Sequence, residues 1–212
     1  MVKQMTVLGI TGPTGAGKTT LLKEVEKLGG AVIDCDAVYH DLLERDGALQ
    51  HSLEKTFGPL RDERGAIDRK KLGTIVFGDP EKLRQLNIIA QTATVRRTQE
   101  LLEGYRRKGI ALAAKGRKLV AIDAIALLES SLAKLCDVTL AVVAPAEIRV
   151  KRIMDREGIT EEYAWLRVKA QKSDEYFVKG CDRTLVNDCE QVEEFALQAK
   201  ALVESILQEH IQ

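Results

Sequence analysis

The chain has 212 residues, enough for one globular domain with insertions, and its 45% hydrophobic content can fill a sizeable core. Lysine plus arginine equals aspartate plus glutamate at 32 each, so no bulk charge directs the chain to nucleic acid or an anionic membrane. No run of about 18 apolar residues occurs, which excludes a helical membrane span.

Met5 to Ile10 is too short for the apolar core of a cleavable leader, and none is expected. Thr6-Val7-Leu8-Gly9-Ile10 reads as a buried strand. Gly12-Pro13-Thr14-Gly15-Ala16-Gly17-Lys18-Thr19 then opens a helix over about Lys18 to Lys27. That octapeptide matches GxxxxGK[ST], a pattern met by chance in on the order of 1% of chains this long. Its position between a strand and a helix strengthens the match. Gly12, Gly15 and Gly17 permit backbone conformations and close approach that a Cβ blocks. Backbone N–H groups and the helix N-terminus are then expected to face a β-phosphate. Lys18 is expected between the β- and γ-phosphates of ATP, with the Thr19 hydroxyl on Mg²⁺.

After the Gly29-Gly30 break, Ala31-Val32-Ile33 reads as a second strand. Asp34 and Asp36 follow it directly, where ligands of open α/β sheets bind. Asp36 is expected to accept the proton of an acceptor hydroxyl, with Asp34 a weaker candidate. Asp36 is also expected to cap a helix starting near Ala37. From Ala37 to about Lys115 no strand is legible. Leu83, Leu86, Ile89, Ala90 and Ala93 recur at helical spacing and predict a long helix after Pro80.

Lys118 to Ile122 and Val138 to Val143 read as further strands, and Thr184-Leu185-Val186 as a fifth. Short apolar runs separated by helices predict a doubly wound α/β fold with a five-stranded parallel sheet flanked by helices. Asp123, following four apolar residues, resembles a Walker B carboxylate and is a candidate for orienting Mg²⁺-bound water. Glu129, close behind, is a candidate for contacting the acceptor. Arg149, Lys151, Arg152 and Arg156 cluster on one helix; Arg152 and Arg156 stand i, i+4 and share a face. Arg152 is expected to close over the triphosphate. Val192, Phe195, Ala196, Ala199, Leu202, Val203 and Ile206 form the core stripe of a last helix. His40, His51 and His210 have no partners at metal-ligand spacing. Cys35, Cys136, Cys181 and Cys189 form no CxxC pair and are expected as free thiols in a reducing cytoplasm.

Several of these pieces occur together in one family. The chain resembles dephospho-CoA kinases through Gly9 to Thr20, Ile33-Asp34-Cys35-Asp36, and Gly65-Ala66-Ile67-Asp68-Arg69 with Leu72 and Val76-Phe77. The resemblance continues through Asp123 with Leu127-Leu128-Glu129, Arg152 with Arg156, Arg167 to Gln171, and Asp182 with Val186-Asn187. It implies ATP-dependent phosphorylation of the ribose 3′-hydroxyl of dephospho-CoA, the last step of coenzyme A synthesis. It implies a P-loop nucleotide-binding core (residues 1–36 and 116–212), a helical acceptor-binding insertion (37–115) and a small lid at about 146–172.

By the resemblance, Asp36 is the general base, Arg152 and Arg156 belong to the lid, and Asn187 lies near the adenine. Gly12, Gly15, Ala16, Gly17, Lys18, Thr19 and Thr20 hold ATP, and Thr19 and Asp123 serve Mg²⁺. Two departures fall on the acceptor side. Gln91-Thr92 stands where the family usually has His-Pro, and Asp123-Ala124-Ile125-Ala126-Leu127-Leu128-Glu129 lacks the usual proline and phenylalanine. Another P-loop small-molecule kinase is the alternative; a regulatory GTPase is disfavoured because no Asn-Lys-x-Asp motif occurs. A monomer acting on a small molecule is expected.

Overall fold

The computed structural model describes residues 5–108 and 118–209, which fall into two compact units, Asp34–Leu101 and the segments on either side of it. The end of the expected insertion, 109–115, and His210 lie outside the described residues.

The flanking segments build a five-stranded parallel sheet of order β2-β3-β1-β4-β5. Its strands are β1 (Met5–Thr11), β2 (Ala31–Asp34), β3 (Lys118–Asp123), β4 (Val138–Val143) and β5 (Arg183–Val186). Each expected strand is present, displaced by one residue at most at either end. β1 and β4 are buried at every position, because helices cover both faces of the central strands. Helix α1 (Lys18–Lys27) contributes Leu21 and Val25 to this core. The last helix, α9 (Val192–Glu209), contributes Phe195, Ala199, Val203 and Ile206, while Val192 at its first position stays exposed. Asp182 fastens β4 to the start of β5: its Oδ2 accepts from Thr139 N at 2.8 Å and from Thr139 Oγ1 at 2.7 Å. The remaining helices of this unit, α6 (Ala146–Glu157), α7 (Glu161–Lys169) and α8 (Asp174–Gly180), follow β4 in the chain.

The Asp34–Leu101 unit is helical. It contains α2 (Cys35–Arg45), α3 (Gly47–Phe57), α4 (Arg69–Val76) and most of α5 (Pro80–Lys108). Leu42, Leu49, Leu53, Leu60, Leu72 and Val76 form its own core. Aspartates punctuate the helices: Asp46 Oδ1 accepts from Leu49 N at 2.9 Å and Asp68 Oδ1 from Lys71 N at 2.9 Å, each satisfying a first-turn donor. Gly65 (φ 79°) turns the chain so that Arg61 and Ile67 pair in an antiparallel bridge. The Gly65 to Asp68 motif therefore shapes the unit's backbone.

Candidate active site

β1 delivers the chain into the glycine loop, and α1 receives it at Lys18. Gly12, Gly15 and Gly17 have φ of 140°, 82° and 107°, conformations that side chains other than glycine strongly resist. Their neighbours are as restrictive as their dihedrals. A Cβ on Gly12 would lie 2.0 Å from the Val142 carbonyl oxygen, and one on Gly17 would lie 2.2 Å from Asn187 Nδ2. The glycines are required by the protein packed behind the loop, in addition to any ligand in front of it.

Every carbonyl from Gly12 to Ala16 accepts a side-chain donor. Lys18 Nζ donates to Gly12 O at 2.6 Å and to Pro13 O at 3.2 Å. Arg149 Nε donates to Thr14 O at 3.0 Å, Arg152 Nη1 to Gly15 O at 3.3 Å, and Asn187 Nδ2 to Ala16 O at 2.9 Å. Peptides are planar and trans, so a carbonyl held on one side turns the next N–H to the other. The Gly15 and Gly17 N–H groups are thus turned opposite to the carbonyls held by Arg149 and Asn187, at the first turn of α1.

The helix α6 supplies the two guanidinium groups that bond the loop. They are Arg149 and Arg152, spaced i, i+3. Arg149 is only 4% exposed, and burial pushes its pKa down, partly offset by Asp174. Arg152 is likewise lowered by burial, and its Nη2 also donates to Asn187 Oδ1 at 3.0 Å and Cys189 O at 3.4 Å. Arg156 is not brought to the loop: its Nη2 donates to Glu157 Oε1 at 2.6 Å. Arg156, and after it Arg167, holds the Glu157 carboxyl below its usual pKa range. The i, i+4 pair legible in the sequence is thus not the pair that reaches the loop. Arg149 stands near the acidic Glu147 and Asp155, a setting that in sequence resembles a solvated face; its i, i+3 spacing to Arg152 is the signal that marks it.

Asp123 stands at the end of β3, paired in register with Ile10, and its Oδ1 is shielded from solvent. Thr19 is exposed in the first turn of α1, with Thr20 half-buried beside it. A hydroxyl and a carboxylate are hard oxygen donors and suit Mg²⁺. No cluster of three or more His, Cys, Asp or Glu that could hold a metal occurs among the described residues. A cation here would therefore complete its shell with phosphate oxygens and water, the usual arrangement for Mg²⁺ at nucleotide sites. Next to the loop lies a cavity of about 430 Å³ lined in part by Thr14, Ile125, Glu129, Gln171 and Phe177. Burial first, then a hydrogen bond with Glu129, pushes the Tyr176 hydroxyl pKa up.

In the helical unit, Asp34 is the N-cap of α2. Its Oδ1 accepts from Asp36 N at 2.9 Å and Ala37 N at 3.0 Å. This corrects the expectation that Asp36 caps a helix starting near Ala37. The helix begins two residues earlier, at Cys35, because Asp34 ends the strand in extended conformation (φ −82°, ψ 109°) with a side chain able to reach back to the first turn. Asp36 is left exposed in the first turn. Gln91 and Thr92 lie within α5, where Thr92 Oγ1 donates to Ile88 O at 2.7 Å. His40 and His51 are exposed. No helix among the described residues is long and apolar enough to cross a membrane, and the four cysteines are free thiols.

A parallel sheet of this order, with a glycine loop between β1 and α1, defines a P-loop nucleotide-binding protein. The comparisons give the particular family. The dephospho-CoA kinase family model matches residues 6–193, and the chain belongs to that family. It is 36% identical to a dephospho-CoA kinase of Dehalococcoides mccartyi over 186 residues, covering 87% of this chain and 90% of the relative. It is 34% identical to one of Fusobacterium nucleatum over 183 residues, covering 86% and 89%. The crystal structure of TT1252 from Thermus thermophilus is similar over 98% of both chains, with a TM-score of 0.73 and 28% identity. Shikimate kinase from Acinetobacter baumannii shares the fold at a TM-score of 0.51 and 15% identity, over 98% of this chain and 96% of that one.

Proposed function

We propose that this enzyme transfers the γ-phosphoryl group of ATP to the ribose 3′-hydroxyl of dephospho-CoA, giving coenzyme A and ADP in the cytoplasm. The observation that carries the reading is the glycine loop whose five carbonyls, Gly12 to Ala16, each accept a side-chain donor of the protein. Such a loop presents N–H groups and the N-terminus of α1 to an anion, and family membership supplies the acceptor.

Phosphoryl transfer asks the protein mainly for positioning and charge stabilisation. In this reading Gly12, Gly15, Ala16, Gly17, Thr19 and Thr20 hold the phosphates, and Lys18 moves from the Gly12 and Pro13 carbonyls to the β- and γ-phosphates. Arg152 stabilises charge on the transferring group. Asp36 accepts the proton of the 3′-hydroxyl as its oxygen bonds the γ-phosphorus and the bond to the β-phosphate oxygen breaks. Arg156 closes from the lid, and Asn187 lies on the adenine side. Thr19 and Asp123 would hold Mg²⁺, which would neutralise phosphate charge when bound.

Release of ADP, followed across dephospho-CoA, nucleoside monophosphates and shikimate as acceptors, tests the reading. Turnover confined to dephospho-CoA supports it; turnover on another acceptor with none on dephospho-CoA overturns it.

A further inference from the structure

Arg149 spends all three of its nitrogens inside the protein. Nε donates to Thr14 O at 3.0 Å, Nη2 to Gln171 Oε1 at 2.8 Å and Nη1 to Asp174 Oδ1 at 3.2 Å. Gln171 Oε1 in turn accepts from Thr14 N at 2.9 Å. Thr14 is therefore gripped at both ends, its carbonyl by Arg149 directly and its N–H through Gln171. The backbone is equally close: a Cβ on Gly15 would lie 3.0 Å from Arg149 O and 3.1 Å from Arg149 Cα. A nearly fully buried guanidinium is costly, and an apolar side chain of similar volume fills such a place more readily. Directly and through Gln171, its hydrogen bonds converge on one residue of the phosphate loop, Thr14, at the two peptides that flank it.

We propose that Arg149 is a positioning residue for the phosphate loop, acting with Gln171 to hold Thr14 at the peptides on either side of it so that its carbonyl points away from the bound phosphates. The proposal rests on the reading that ATP phosphates occupy this loop. Without the guanidinium, the Thr14–Gly15 peptide gains freedom to rotate. Its carbonyl dipole then faces the phosphates for part of the time, and nucleotide affinity falls. The acceptor does not depend on this peptide, so its KM stays put.

The test measures ADP affinity by calorimetry, with no acceptor present, alongside steady-state KM values for ATP and dephospho-CoA. Arg149→Met is expected to weaken ADP binding about tenfold or more, the order expected for losing charge-assisted hydrogen bonds. KM for ATP rises in parallel and KM for dephospho-CoA stays within twofold of wild type. Arg149→Lys, which keeps the charge but not the fork, recovers part of the loss. Gln171→Leu, at a half-buried position, weakens ADP binding severalfold, and the double variant is no weaker than Arg149→Met alone, since the two side chains are bonded to each other and both act through Thr14.

ADP affinity within twofold of wild type in both single variants overturns the proposal, even if Arg149→Met melts earlier; so does a double variant whose losses multiply. Should Arg149→Met fail to fold, Gln171→Leu and Arg149→Lys decide by the same criterion. Wild-type protein that binds ADP but leaves dephospho-CoA unphosphorylated counts against the function and not against Arg149.

Discussion

Asn187 Nδ2 donates to the carbonyl oxygen of Ala16 at 2.9 Å, tying the loop after β5 to the phosphate loop. The Asn187 N–H is itself anchored to Val143 O at 2.7 Å, so the contact is carried by the sheet. A Cβ on Gly17 would lie 2.2 Å from that same Nδ2, at a residue already at φ 107°. Gly17→Ala is therefore expected to evict the Asn187 amide and reshape the loop. Turnover should fall by at least about 10² through lost ATP binding, as read from ATP saturation curves. Normal ATP kinetics in Gly17→Ala would show that the loop tolerates the shift.

Gly12 tests packing apart from chemistry. Its absent Cβ faces the backbone oxygen of Val142 at 2.0 Å, and a backbone atom cannot step aside. Gly12→Ala should destabilise the fold by about 1–3 kcal/mol, as overpacking does. That corresponds to a Tm lower by several degrees for a chain this size. Gly47→Ala, where nothing lies within 4 Å of the added methyl, serves as the control and should leave Tm unchanged or raised.

Asp34 and Asp36 should separate cleanly. Asp34→Ala removes the acceptor for Asp36 N and Ala37 N and should cost about 1 kcal/mol of stability. Asp34→Asn keeps a good cap and should be nearly neutral. Asp36→Asn should leave Tm and KM for ATP unchanged while lowering kcat by about 10² or more. Thermal melts and kcat measured on the three variants check the division; near-normal kcat in Asp36→Asn contradicts its role as base.

The sheet was legible because its strands are short apolar runs buried on both faces, a pattern that survives without knowing any partner. The start of α2 is ambiguous in the sequence because Asp34 and Asp36 are equally good caps; the choice depends on where β2 stops pairing. The glycine loop announced itself, but its supports did not. Arg149 and Gln171 stand 22 residues apart in the chain, and Asn187 and Ala16 stand 171 apart. Local spacing carries no trace of such pairings. The exposed acidic neighbours of Arg149 also disguised a buried cation as a surface one.

Asp182 gives a pH-dependent check on the sheet. The Thr139 N–H, then its hydroxyl, hold the Asp182 carboxyl below its usual pKa. In the unfolded chain the pKa is higher, so the carboxylate stabilises the fold above the unfolded value, and this is lost as pH falls through the folded one. Asp182→Ala should therefore melt below wild type at neutral pH, with the gap narrowing as the buffer is taken below about pH 4. A gap independent of pH would assign the contribution to packing alone.

The central claim is the identity of the transferred group and its destination. Incubating the protein with Mg-ATP and dephospho-CoA, then examining the product by mass spectrometry and phosphorus NMR, tests it most directly. The account predicts one new phosphomonoester on the ribose 3′ oxygen and one ADP per product molecule. ADP release with dephospho-CoA recovered intact, or phosphate attached at another hydroxyl, would contradict it.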